Sequence, residues 1–104
     1  MLKKKFLKTK CKVEFVFPAN ATTQVQSVHL VGDFNNWDKV SHPMEMDKKG
    51  QSYSLTVELP LGQSFQFRYL VNNQDWHNDW EADAYAPNSF GGENSVVKTE
   101  AAAE

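Results

Sequence analysis

The sequence predicts an all-β protein built as a single antiparallel β-sandwich, and three observations carry that expectation. Apolar and polar residues alternate with a period of two over most of the chain, the pattern of strands with one buried face. Turn formers (Pro18, Gly32, Gly62 and the pair Asn72-Asn73) interrupt the alternation at short intervals. No stretch repeats its apolar residues at helical spacing. Strands with one apolar face must bury that face against another layer, and two facing sheets do so economically.

The elements follow in order. Residues 1–9, with Lys3, Lys4, Lys5 and Lys8, read as a basic, solvated lead-in, and the folded domain is expected over 10–99. Lys10–Phe17 sets Cys11, Val13, Phe15 and Phe17 on one face and Lys12 and Glu14 on the other. Pro18 ends that strand because proline has no N–H to give a ladder. Val25–Val31 is a second apolar run, closed by Gly32. Tyr53–Leu59 turns Tyr53, Leu55, Val57 and Leu59 inward, and Leu59-Pro60-Leu61-Gly62 reads as a turn.

Phe65–Val71 alternates again, with Phe65, Phe67, Tyr69 and Val71 inward and Gln66, Arg68 and Leu70 on the opposite face. Asn72–Asp75 is a polar hairpin tip with a short strand around Trp76 after it. The acidic stretch 82–92 reads as irregular, and loops of that length in so small a domain are commonly functional. Ser95–Thr99 supplies a closing strand, and 100–104 reads as a frayed tail. Seven or eight strands are expected, around a core of Val13, Phe15, Phe17, Val28, Leu30, Leu55, Val57, Phe67, Tyr69 and Val71.

Composition narrows the classes of function. A chain of 104 residues supports one core, which weighs against an enzyme needing both a scaffold and a substrate cavity. The net charge of −2 gives no overall field for nucleic acid. No apolar run approaches the length of a membrane span, and the basic start lacks the apolar core of a signal peptide. The sequon Asn20-Ala21-Thr22 therefore carries no weight. Cys11, the single cysteine, permits no internal disulfide and alternates with core residues, so it reads as a small buried hydrophobe. No membrane, no nucleic acid and a cytoplasmic setting are the expectations.

Two tryptophans stand out because each sits in a polar loop. Trp37 follows Gly32-Asp-Phe-Asn-Asn, where Phe34 is expected to plug the loop and Asn35 and Asn36 to accept left-handed turn conformations. Trp76 lies just past the hairpin tip, with Arg68 pointing outward beside it. Flat indoles among amides and a guanidinium suit sugar recognition. Pyranose C–H faces stack on π-faces, and directional donors meet the hydroxyls. The competing reading has Trp37 folding back across the end of the sandwich.

Other constellations are weaker. Asp75-Trp-His77-Asn-Asp79 spaces oxygen ligands like the start of a calcium loop, but Trp80 and Ala86 stand where glycine and glutamate are required. His29, His42 and His77 lack zinc-ligand spacing. No metal and no cofactor are expected. Asp33 and Asp38 could pair as in a glycosidase, yet nothing in the sequence encloses a scissile bond, so the chain is not read as an enzyme.

The runs Gly32-Asp-Phe-Asn-Asn-Trp37, Leu59-Pro-Leu-Gly62, Gln66-Phe-Arg-Tyr-Leu-Val71, Trp76 and Phe90-Gly-Gly-Glu-Asn94 bring a family into view. In that order they resemble the family-forty-eight carbohydrate-binding modules. These are the glycogen-binding domain of the AMP-activated kinase β subunit and the early-set N-terminal domains of isoamylase-type debranching and branching enzymes. The resemblance covers 13–99. It implies an immunoglobulin-like sandwich, without a catalytic centre, that binds α-1,4-glucans such as glycogen, starch and maltooligosaccharides. It also implies roles: Trp37 and Trp76 as stacking rings, Arg68 and Asn94 as hydroxyl partners, and Phe90 against the inner curve of the glucan. Asn36 beside Trp37 completes the candidate carbohydrate-binding set, with Trp80 and His77 as candidate additional contacts.

The sequence departs from the family pattern in four places. Arg68 stands for a lysine, the hairpin before Trp76 is one residue longer, Trp80 stands for a proline, and Gly92 replaces a small polar residue. For Trp80 the favoured alternative is packing under the acidic loop. The alternative for the whole chain is a protein-interaction domain, packing in trans on a glucan-processing enzyme or a regulatory partner through the same aromatics.

Overall fold

The alternation in two long segments sets the frame. In a computed structural model, which describes residues 2–19, 25–79, 81–88 and 92–99, strand β2 (Lys10–Pro18) pairs antiparallel with β5 (Ser52–Pro60) along its whole length. The register sets Val13 beside Val57, Phe15 beside Leu55 and Phe17 beside Tyr53, so these apolar side chains share one face, while Val16 lies on the other opposite Ser54. β1 (Leu2–Phe6) and β4 (Glu45–Met46) complete this sheet in the order β1-β2-β5-β4.

The facing sheet is built on β6 (Ser64–Val71), with β3 (Val28–Gly32) along one edge. On its other edge, β9 (Glu93–Lys98) pairs with the first half of β6 and β7 (Asp75–His77) with the second half. β8 (Ala84–Pro87) lies outside β9. The described elements are thus two antiparallel sheets and one 3₁₀ turn, the sandwich that the sequence predicts.

The sheets close on aromatic side chains. Phe15 of β2 meets Phe67 of β6 edge to face, with centroids 5.0 Å apart, and Phe17 meets Tyr69 at 5.2 Å. All four rings are buried, and full burial of such a side chain contributes about 1.5–3 kcal/mol. Val13, Val28, Leu30 and Val71 join them, while Leu55 and Val57 pack against the cluster partly buried.

A polar knot lies at one side of this core. The fully buried Asp79 carboxylate accepts the Tyr69 hydroxyl at 2.7 Å and the Glu81 N–H at 2.7 Å. The Asp79 N–H donates to Ser95 Oγ, and the Tyr85 hydroxyl donates to the Asp79 carbonyl. Burial and the adjacent Asp79 charge push the Tyr69 hydroxyl well above the ordinary tyrosine value.

Two segments differ from the sequence expectation. The basic start is an edge strand rather than a solvated lead-in over Leu2–Phe6, and Lys4 points inward opposite Val13. Its ammonium pairs with Asp83, which also accepts the Lys98 N–H at 2.7 Å, so the charge is matched and the strand edge is tied to the other sheet. Three consecutive lysines concealed that alternation. Likewise Ala84–Pro87, inside the stretch read as irregular, pairs with Glu93–Val96. Its small residues and proline give almost no periodic signal.

Candidate functional site

Gly32 is where the first half of the site begins. A Cβ there would lie 2.5 Å from the Gln66 carbonyl oxygen and 2.9 Å from Phe67 Cβ, so β3 can approach β6 this closely only with glycine. The chain then turns through the 3₁₀ turn Asp33–Asn35. Phe34 drops inward against Phe15 (5.7 Å) and Phe65 (6.2 Å) as the plug of the loop. Asn35 holds the turn with its side chain: Oδ1 accepts the Gly32 N–H at 3.1 Å and Nδ2 donates to the Leu30 carbonyl at 3.0 Å.

Asn36 and Trp37 both adopt left-handed backbone, at φ 57° and 58°. That conformation is tolerable for asparagine and unusual for tryptophan. Two contacts hold Trp37 in it. Its N–H donates to the Gly32 carbonyl at 2.9 Å, and its indole Nε1–H donates to Asp33 Oδ1 at 2.9 Å. The second oxygen of Asp33 accepts the Gln66 N–H at 2.8 Å. One carboxylate thereby fixes the indole and ties it to β6.

The second half is set by the β6–β7 hairpin. Asn72 and Asn73 take φ 54° and 60°, the left-handed pair that a tight hairpin turn requires. Asn72 Oδ1 also accepts the N–H groups of Gln26 and Ser27, which anchors the hairpin to the entry of β3. In the ladder Trp76 stands opposite Leu70, on the same sheet face as Arg68 and Gln66. Lys39 Nζ and Arg68 Cζ each lie 5.9 Å from the Trp76 ring centroid, within cation–π reach.

These parts meet in one open depression of ≈ 760 Å³, lined among the described residues by Trp37, Lys39, Gln66, Arg68, Trp76, Asn88 and Asn94. Both indoles are half-buried, seated in the protein but with surface to offer. The three amides form a row: Asn88 Nδ2 donates to Asn94 Oδ1 at 3.3 Å, and Asn94 Nδ2 donates to Gln66 Oε1 at 3.0 Å. The arrangement presents two aromatic surfaces, a line of neutral amides and two cations on one face.

Of the residues singled out in the sequence, Trp37, Trp76, Arg68 and Asn94 come together here. Asn36 is exposed in the turn and does not line the depression. His77 alternates with Trp76 and faces the other way, its ring 5.7 Å from Phe17. Phe90 and Trp80 lie outside the described residues. Asp38 caps its own turn by accepting the Val40 N–H at 3.0 Å, and Asp33 is occupied by Trp37 and Gln66. Among the described residues no group of three His, Cys, Asp or Glu side chains could hold a metal ion. No helix among them is long and apolar enough to cross a membrane.

Comparison with known proteins identifies the family. The profile of carbohydrate-binding module 48, the isoamylase N-terminal domain, matches residues 12–86. The chain belongs to that family. A relative of this module 48 domain is the 1,4-alpha-glucan branching enzyme GlgB of Butyrivibrio fibrisolvens, 38% identical over 60 residues. The match covers 57% of the chain and 9% of the enzyme, so the chain corresponds to a small part of that relative.

Sequence reading passed over Lys39, Gln66 and Asn88 in the lining and Asp33 as the anchor of the indole. Gln66 was legible as a same-face neighbour of Arg68, two residues away on one strand. Asn88 and Lys39 reach the site from loops, whose course no periodicity records.

Proposed function

We propose that the module binds α-1,4-glucans (glycogen, starch or maltooligosaccharides) without acting on them. The observation that carries this reading is that Trp37 and Trp76 line the same open depression as a row of amides and Arg68. Successive glucose rings lay their C–H faces on the indoles, and the amides and the guanidinium of Arg68 reach the hydroxyls. Asn94 takes part through the amide row rather than as a free side chain. Phe90, beside that row in sequence, is the candidate for the inner curve of the glucan.

An open platform with few hydrogen bonds gives modest affinity, with dissociation constants from about micromolar to millimolar, or about −8 to −4 kcal/mol. Repeated sites on a branched polymer raise the effective strength. Affinity electrophoresis in glycogen or amylopectin gels tests the reading. The wild type is retarded, and replacing both Trp37 and Trp76 by alanine removes the retardation while the circular dichroism spectrum stays β-type. Equal retardation of both proteins refutes the platform. A cytoplasmic setting, where storage glucans and a free thiol coexist, belongs to the same proposal.

A second reading is favoured by one specific observation, the match to a small part of a much longer branching enzyme. On that reading the same face docks on a glucan-processing enzyme. Titration with β-cyclodextrin separates the two, since indole resonances that shift report sugar and silent ones report a protein partner.

A further inference from the structure

The depression holds more positive charge than a neutral ligand requires. Lys39 and Arg68 both approach the ring of Trp76, in a chain whose net charge is −2. Among the described residues neither forms an ion pair, and Arg68 Nε is buried with no hydrogen-bond partner. The described lining contains no acidic side chain. The exposed Asp33 beside Trp37 is engaged, with one oxygen on the indole and the other on the Gln66 N–H. Two like charges gathered at one ring repel each other, and with Gln66, Asn88, Asn94 and Arg68 available to the hydroxyls, the second cation, Lys39, is more than a neutral sugar requires.

The unused complement of this pair is an anion placed next to a stacked sugar. A phosphate monoester carries a charge of about −1.5 to −2 near neutral pH and three acceptor oxygens. A guanidinium fork meets two of those oxygens together, and an ammonium adds a mobile point charge. We propose that the site prefers α-glucans whose glucose units carry phosphate monoesters, with Trp76 stacking the phosphorylated ring and Lys39 and Arg68 receiving its phosphate. This rests on the glucan reading above and adds the class of glucan.

The test is calorimetric titration of the full chain with maltoheptaose and with the same oligosaccharide phosphorylated at a glucose 6-hydroxyl. The phosphorylated ligand binds roughly three- to tenfold tighter, and the ratio contracts as salt is raised. Lys39→Gln and Arg68→Gln each draw the ratio toward one, whereas Lys39→Arg keeps it. Equal affinities of the wild type for the two ligands overturn the proposal and leave neutral glucan binding standing. A ratio unchanged by either glutamine substitution also overturns it, because the cations then serve only to brace Trp76. Binding of neither ligand removes the glucan reading itself, and the phosphate preference with it.

Discussion

The indole of Trp37 is held by the carboxylate of Asp33, four residues earlier, through a 2.9 Å hydrogen bond from Nε1. Because the other oxygen of Asp33 receives the Gln66 N–H, loop and strand share one acceptor. The ring is therefore oriented before any ligand arrives.

Replacing Asp33 by alanine removes that acceptor, and because both hydrogen bonds are exposed, water takes its place at the two donors. The loss is then that of an ordinary hydrogen bond, about 0.5–1.5 kcal/mol, part of it in stability and part in the orientation of the ring. We expect a lowered denaturation midpoint and a weakened affinity for maltoheptaose, with a displaced Trp37 indole N–H resonance. Asp33→Asn, which keeps one good acceptor oxygen, retains part of both. An unmoved resonance in Asp33→Ala counts against the anchor.

Gly32→Ala tests the close approach of β3 to β6. Its Cβ would stand 2.5 Å from a backbone oxygen that cannot swing aside. Overpacking of this kind costs about 1–3 kcal/mol. Urea denaturation should show a lower midpoint at an unchanged slope, with glucan retention weakened because Phe34 and Trp37 follow directly.

Tyr69 predicts an alkaline limit to stability. Its hydroxyl titrates well above the ordinary value of 10.0 when folded, because burial and Asp79 oppose the phenolate. The unfolded chain releases this proton first as pH rises past 10, so the unfolded state is favoured from there upward. Below pH 10 the contribution is fully present. Tyr69→Phe should lower stability by about 1–3 kcal/mol at neutral pH, since the buried Asp79 loses a donor, and should flatten the decline above pH 10. Stability curves measured from pH 7 to 11 decide it.

Lys4→Ala probes the link between the edge strand and the other sheet. The ion pair with Asp83 is partly exposed, its two side chains 21% and 28% accessible, so its contribution is up to about 1 kcal/mol and is screened by salt. Denaturation at low and high ionic strength should give a wild-type advantage that narrows as salt increases.

Cys11 is buried and its thiol is pushed up by that burial. Alkylation by iodoacetamide at neutral pH should be slow in the folded protein and fast in denaturant.

The two sheets were legible because β5 alternates throughout and β2 and β6 do so but for Val16 and Leu70, and a half-buried strand leaves that signature in its own residues. The two indoles were legible for the opposite reason, as large apolar rings in polar loops. Lys4 and Ala84–Pro87 were not, since an inward lysine matched by a distant aspartate and a strand of small residues both break the local pattern. Nor was the role of Asp33: its position four residues before Trp37 places the two near each other only once the 3₁₀ turn has formed. Asn88 meets Asn94 from the loop just past β8, a position that depends on how β8 and β9 pair rather than on any pattern within one strand.

The loop that bears Trp37 and Lys39 is fastened at both ends. It leaves β3 at Gly32, and its far side returns to lie along β3, with the Leu30 N–H on the His42 carbonyl and the Met44 N–H on the Val28 carbonyl. Glu45 and Met46 then cross to the opposite sheet and pair with β5. A segment laced to both layers of the sandwich has little freedom left to surrender when a saccharide docks. On the glucan reading, the face that meets the sugar is cast together with the fold, and a substitution that loosens the sandwich in this corner should blunt binding without touching a lining residue of the depression.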